Sequence, residues 1–229
     1  MTTIQANLQA VRERIAAACA AARRDPCSVR LLAISKTWPA PCIATAIACG
    51  QYAFGENYVQ EALAKIGALR QFEPEWHFIG PLQGNKTRPV AEHFAWVHSV
   101  ERLKIAERLS AQRPPGMAPL QVCLQVNVSG ESSKSGCAPD EAPALAAAVA
   151  QLPNLRLRGL MAIPEPSDDA ALQRRRFARL RELRDTINSS GMALDTLSMG
   201  MSHDLEAAIA EGATIVRVGT AIFGARPTA

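Results

Sequence analysis

What this chain of 229 residues lacks narrows its function before any motif is considered. It has six cysteines (Cys19, Cys27, Cys42, Cys49, Cys123 and Cys137) but no C-x-x-C spacing and no accompanying histidine cluster, which argues against a zinc site or a disulfide framework. No apolar stretch is long enough to span a bilayer, and the start shows no basic segment followed by an apolar run, so a cytoplasmic location is expected. Aromatic residues make up only 5% and do not interleave the basic ones, which speaks against nucleic-acid binding by base stacking. No linker rich in Gly, Ser or Pro divides the chain, and Pro114-Pro115-Gly116 reads as a turn. A single domain over 1–229 is expected. With no heptad repeat and no exposed apolar stripe, a monomer is expected too.

Lysine is scarce beside arginine, with five lysines against twenty arginines. One of the five, Lys36, closes the apolar run Val29-Arg30-Leu31-Leu32-Ala33-Ile34-Ser35. Arginine keeps its proton under working conditions, whereas a lysine amine can be desolvated, lose its proton and attack an aldehyde to form an imine. The bland alternative is that Lys36 snorkels from a strand end into water.

Strand-like and helical runs alternate along the chain. Apolar strand candidates lie at 29–36, 52–56, 76–80, 96–100, 120–127, 155–162, 195–200 and 214–219. Helical stretches are expected at 3–23, 40–49, 57–70, 101–111, 140–151, 168–189 and 203–211, with a shorter one at 85–93 into which Pro89 intrudes. Such alternation means parallel strands joined by crossover helices. Eight repeats predict an α/β fold, a closed (β/α)8 TIM-like barrel with an extra N-terminal helix. The arginine-rich helix at 168–189 carries Leu172, Phe177, Leu180, Leu183 and Ile187 at near-helical spacing, so its basic face is expected to be solvated.

Working residues in such a barrel sit at the C-terminal ends of the strands and in the loops beyond. Lys36 ends the first strand there. Ser202 and the pair Gly219-Thr220 sit in glycine-rich loops after the last two strands, where backbone N–H groups and hydroxyls can hold a phosphate. The alternative for Ser198-Met199-Gly200-Met201-Ser202 is a tight turn with methionines packing the barrel. An aldehyde-reactive lysine facing a phosphate cradle points to a phosphorylated aldehyde. Arg217, inside the apolar run Ile215-Val216-Arg217-Val218, needs an acceptor. That acceptor is either a pyridine ring nitrogen, which arginine would keep unprotonated, or an acidic residue such as Glu56 or Glu165.

Nearly the whole chain resembles the pyridoxal 5'-phosphate homeostasis proteins, which look like the barrel domain of alanine racemases standing alone. The resemblance is carried by "LLAISKTWP" at 31–39, "FGENYVQEALAK" at 54–65, "WHFIGPLQGNKTR" at 76–88, "VHSVERLKIAERL" at 97–109, "VNVSGESSKSG" at 126–136, "GLMAI" at 159–163 and "SMGMSHDLEAAIAEGATIVRVGTAIFGAR" at 198–226. Gly84 departs from it, standing where a small polar residue is expected. The resemblance implies pyridoxal 5'-phosphate as cofactor, bound to Lys36 as a Schiff base. Ser202, Gly219 and Thr220 would hold the phosphate, Arg217 would face the ring nitrogen, and Asn57 with the backbone from Met199 to Met201 would line the pocket. His77 is a further candidate for contact, against the alternative of a satisfied core histidine. Lys134 offers a second amine that could take the aldehyde during transfer, or is a solvated loop lysine.

The function implied is a carrier that buffers pyridoxal phosphate and passes it to dependent apoenzymes in transient encounters, without turnover. An amino-acid racemase of the related type needs a tyrosine base on the far face of the cofactor, and only Tyr52 and Tyr58 exist here, both near the second strand. A cofactor-free Schiff-base aldolase is the other competitor.

Overall fold

The computed structural model describes residues 3–129 and 135–225. Eight parallel strands, β1 (Arg30–Ile34), β2 (Ala53–Glu56), β3 (Glu75–Phe78), β4 (Trp96–Val100), β5 (Leu120–Gln125), β6 (Leu155–Met161), β7 (Thr196–Ser198) and β8 (Ile215–Val218), follow one another around a closed ring. The ring is sealed where β1 pairs with β8, with Arg30 opposite Ile215 and Ala33 opposite Val218. Each strand lies within two or three residues of the sequence-based expectation at either end, and the TIM-like barrel is as expected.

Nine α-helices are present among the described residues: α1 (Ile4–Ala21), α2 (Ala40–Ala48), α3 (Val59–Ala68), α4 (Thr87–His93), α5 (Leu103–Gln112), α6 (Ala142–Ala150), α7 (Ala170–Ser189), α8 (Leu205–Ala210) and α9 (Thr220–Phe223). Pro89 is accommodated within the first turn of α4, where a missing N–H costs little. The extra helix α1 begins at Thr3, whose hydroxyl accepts from the Ala6 N–H at 3.2 Å, and buries Leu8, Val11, Ile15, Ala18 and Cys19 at three- and four-residue steps. That stripe is the reason α1 lies against the barrel, where it packs on α8 and α9.

Strand alternation divides the core in two. Outward residues such as Ala33, Phe54, Val97, Val122 and Val216 join the large cluster beneath the helices. Inward residues form two small clusters, one of Leu32, Ile34, Ala53, Ile79 and Ile215 and one of Trp96, Cys123 and Met161. Between them the interior is polar, with His77, His98, Ser198 and Arg217 all buried.

The expectation for α7 needs correction. Its arginines do not simply point into water: Arg174 and Arg181 both bind the buried Glu211 carboxylate, Arg176 pairs with Glu165 at 2.9 Å, and Arg179 donates to the Val128 carbonyl at 3.1 Å. The basic face is used to fasten the helix to the loops and to α8.

Candidate functional site

Lys36 stands just beyond β1, in a turn rather than in the strand. Ser35 makes the last ladder contact, giving its N–H to the Gly55 carbonyl at 3.0 Å, and Trp38 N–H closes the turn on the Ser35 carbonyl at 3.0 Å. Thr37 takes a left-handed conformation with φ 69°, a costly geometry for a β-branched residue. The turn is held from below: Lys65 Nζ donates to the Ser35 carbonyl at 2.7 Å, Glu61 accepts the Thr37 N–H at 2.5 Å, and Ser35 Oγ donates to Glu56 at 2.6 Å.

At this C-terminal mouth a cavity of about 270 Å³ opens, lined by Ile34, Lys36, Trp38, Asn57, Ile79, Ile163, Met201, Ser202, His203, Arg217, Gly219, Thr220 and Gly224. Seven of the residues singled out from sequence therefore meet around one space: Lys36, Asn57, Met201, Ser202, Arg217, Gly219 and Thr220. The half-buried Lys36 and the buried Arg217 come from neighbouring strands, because β1 and β8 close the ring.

One expectation is corrected, and for His77 the alternative of a satisfied core histidine holds. Met199 does not line the cavity. It follows the inward Ser198 by one residue, so alternation turns it outward into the core beneath the helices. His77 is fully buried at mid-barrel, bonded to Glu75 at 2.6 Å and to His98 at 2.9 Å, because β3 ends at Phe78 and carries only Ile79 to the cavity. Lys134 lies outside the described residues.

Among the described residues Arg217 forms no salt bridge with a carboxylate, and Asp204 acts on it only through its charge. It donates through Nη1 to the Ser198 carbonyl at 2.5 Å and Ser198 Oγ at 2.9 Å, and through Nη2 to the Ala162 carbonyl at 2.8 Å. Glu56 is taken by Ser35 and Lys65, and Glu165 pairs with Arg176. Burial lowers the Arg217 pKa to about 10, with Asp204 opposing the shift, and the group stays cationic at neutral pH. Three of its five N–H groups are used by the protein, two have no acceptor among the described residues, and the side chain lines the cavity.

The loops after β7 and β8 have the properties of an anion cradle. Gly200, at φ 91°, makes the turn that only glycine takes readily. Among the described residues, the backbone N–H groups of Ser202, Gly219 and Thr220 take no protein acceptor. Helix α1 braces both loops, with Arg14 donating to the Ser202 carbonyl at 3.2 Å and Asn7 to the Ile222 carbonyl at 2.8 Å. Asn57 also lines the cavity, and its buried Oδ1 has no hydrogen-bond partner among the described residues.

Similarity to known proteins agrees with this arrangement. The model of the alanine racemase N-terminal domain family matches residues 6–227. The pyridoxal phosphate homeostasis protein of Pseudomonas aeruginosa is 66% identical over 226 residues, covering 99% of this chain and 97% of that one. Its counterpart in Escherichia coli is 53% identical over 234 residues, covering 99% and 98%.

This chain belongs to the pyridoxal phosphate homeostasis protein family. A solved member, PipY of Synechococcus elongatus with pyridoxal phosphate bound, superposes with a TM-score of 0.82 at 41% identity, over 92% of this chain and 100% of that one. Alanine racemase from Corynebacterium glutamicum shares the fold, with a TM-score of 0.70 at 17% identity over 97% of this chain and 63% of its own. Sequence reasoning missed several residues at the site of this family member. Trp38, Ile79 and Ile163 line the cavity, and Lys65 with Glu61 secures the Lys36 turn, where Glu56, offered from sequence as a partner for Arg217, pairs with Lys65 instead. Trp38, Lys65 and Glu61 lay within the quoted segments, but nothing in their spacing marked them out.

Proposed function

We propose that this protein holds pyridoxal 5'-phosphate as a Schiff base on Lys36 and serves as a reservoir for enzymes that need the cofactor, without turnover of its own. The observation that carries the reading is the shared cavity: an amine, an arginine with two unused N–H groups, and two loops with unclaimed N–H groups surround one space. In this reading Lys36 would supply the amine that takes the aldehyde. Ser202, Gly219 and Thr220 would hold the phosphate, Arg217 would serve the ring nitrogen, and Asn57 and Met201 would bound the ring. The names and bound cofactor of the relatives support the same assignment.

The bound group would supply an electron sink. An arginine at the ring nitrogen would weaken that sink, since it donates a hydrogen bond but keeps its own proton and so leaves the ring nitrogen unprotonated. Neither tyrosine lines the cavity: Tyr52 and Tyr58 are 52% and 57% exposed. Both features favour storage over racemisation, which needs a second base. Release to an apoenzyme then follows from reversal of the condensation.

The test is the visible spectrum of the purified protein before and after borohydride, with peptide mapping of the reduced adduct. A yellow protein bleached by reduction, with the added mass on Lys36 and none in the Lys36→Ala variant, is expected. A protein that stays colourless with added pyridoxal phosphate would return the cofactor-free aldolase to first place, and loss of optical rotation from L-alanine would establish a racemase.

A further inference from the structure

A line of hydrogen bonds crosses the barrel interior from Arg217 to the opposite mouth. Arg217 Nη1 reaches Ser198 Oγ at 2.9 Å, Ser198 Oγ reaches His98 Nδ1 at 2.8 Å, and His98 Nε2 reaches His77 Nδ1 at 2.9 Å. His77 Nε2 then reaches Glu75 Oε1 at 2.6 Å, and Arg30 binds the same oxygen at 2.7 Å. Glu75 and Arg30 line the cleft at the N-terminal mouth, so the line connects the two ends of the barrel.

With both imidazole rings neutral, the chemistry of its ends gives the line one direction. Arginine only donates, and an ionised carboxylate only accepts. Ser198 Oγ therefore accepts from Arg217 and sends its own proton to His98 Nδ1. His98 then carries its proton on Nε2 and gives it to His77 Nδ1, and His77 gives its Nε2 proton to Glu75. Both rings are neutral in this arrangement, since a proton on His77 Nδ1 would confront the N–H of His98. Burial acts the same way, lowering both histidine pKa values, while the bonds from His77 and Arg30 outweigh burial at Glu75 and hold it down at about 2.

We infer that His98 and His77 are positioning residues for Arg217. By taking the Ser198 proton they keep the hydroxyl oxygen turned to the guanidinium, and the aligned dipoles strengthen each bond in the line. The guanidinium is thereby held on Ser198 and Ala162 with its remaining N–H groups left for the cavity. Toward the cofactor, this role rests on the function proposed above; the direction of the line does not.

Two measurements test it. In the unliganded protein, 15N NMR of the histidine rings should find His77 and His98 as neutral tautomers protonated at Nε2. An Nδ1-protonated His98 or an imidazolium at either position would overturn the inference. With pyridoxal phosphate as the probe, His98→Leu should weaken binding about tenfold, as expected when hydrogen-bonding partners are left unmatched in the interior. It should also shift the visible absorption maximum. His98→Gln, whose amide both accepts from Ser198 and donates to His77, should restore most of both. Wild-type affinity and spectrum in folded His98→Leu would sink the role, because a merely structural histidine would change stability alone. If His98→Leu does not fold, Ser198→Ala breaks the same line by loss of one atom and takes its place. A wild-type protein that takes up no pyridoxal phosphate refutes the proposed function, and the ring tautomers still decide whether the line exists.

Discussion

Lys65 and Glu56 form an ion pair at 2.7 Å directly beneath the turn that presents Lys36, with side chains 7% and 0% exposed. Burial raises the Glu56 pKa and Lys65 offsets the shift, so the carboxylate depends on its neighbour for its charge. The same lysine binds the Ser35 carbonyl and Glu61, and Glu61 in turn holds the strained Thr37. Charge, turn geometry and the aim of Lys36 are thus tied to one cluster.

Removing one partner strands the other in the interior. Lys65→Met is expected to cost about 3–5 kcal/mol, the usual penalty for an uncompensated buried charge. The double variant Lys65→Met with Glu56→Gln should recover part of that loss, because the surviving group is then neutral. Denaturant unfolding of the four proteins closes the cycle, and a cost below about 1 kcal/mol for Lys65→Met would contradict the burial argument.

The two buried histidines make stability depend on pH in a definite sense. Their folded pKa values are depressed below the ordinary 6.5, so on acidification the unfolded chain binds protons that the folded barrel does not. Stability contributed by the neutral rings is complete above 6.5 and is lost as pH falls below it. Glu75 adds a loss of the same sign beginning near 4.5 and finishing near 2, whereas the raised Glu56 acts in the opposite sense. The melting temperature should therefore fall between pH 7.5 and 5.5, less steeply in His77→Asn/His98→Asn. Equal slopes in the two proteins would refute the assignment.

Two glycines near the cavity should resist alanine, for different reasons. At Gly80 an added Cβ would lie 2.3 Å from the Asn57 carbonyl oxygen, a backbone atom that cannot swing aside. Gly200 combines φ 91° with an added Cβ 2.5 Å from Ala208 Cβ. Gly80→Ala should cost about 1–3 kcal/mol through overpacking and displace Asn57. Gly116, at φ 84° with open space around it, should lose only about 1 kcal/mol from backbone strain. Thermal unfolding ranks the three, and a Gly80→Ala as mild as Gly116→Ala would show that the β2 loop yields.

The thiols should separate by burial. Cys27 is exposed and should be modified in the native protein, while Cys19, Cys123 and Cys137 are buried and should react only on unfolding. Burial pushes Cys123 up to about 12 and Cys137 to about 11, which removes the reactive thiolate at neutral pH. Native-state alkylation followed by mass spectrometry checks the order. Rapid native labelling of Cys123 would mean the barrel interior opens.

Much of the molecule was legible in the chain alone because the relevant signals are local. Alternating apolar runs and helical stretches set eight parallel strands, a repeat number that fits a closed barrel better than an open doubly wound sheet. The position of Lys36, Ser202, Arg217, Gly219 and Thr220 at the ends of those strands then put them on one rim. Partnership across the ring is a different matter. Period-two alternation says that a residue faces inward but not what it meets, and His98 meets Ser198 one hundred residues away. Spacing therefore leaves His77 open between cofactor contact and a satisfied core histidine, and only the fold shows its partners to be Glu75 and His98; likewise the one-residue step from Ser198 turns Met199 to the core. The Lys65–Glu56–Glu61 cluster and the anchoring of the α7 arginines were hidden for the same reason. Burial and pairing of charge depend on which strands and helices come together in space, and no local spacing along the chain encodes that.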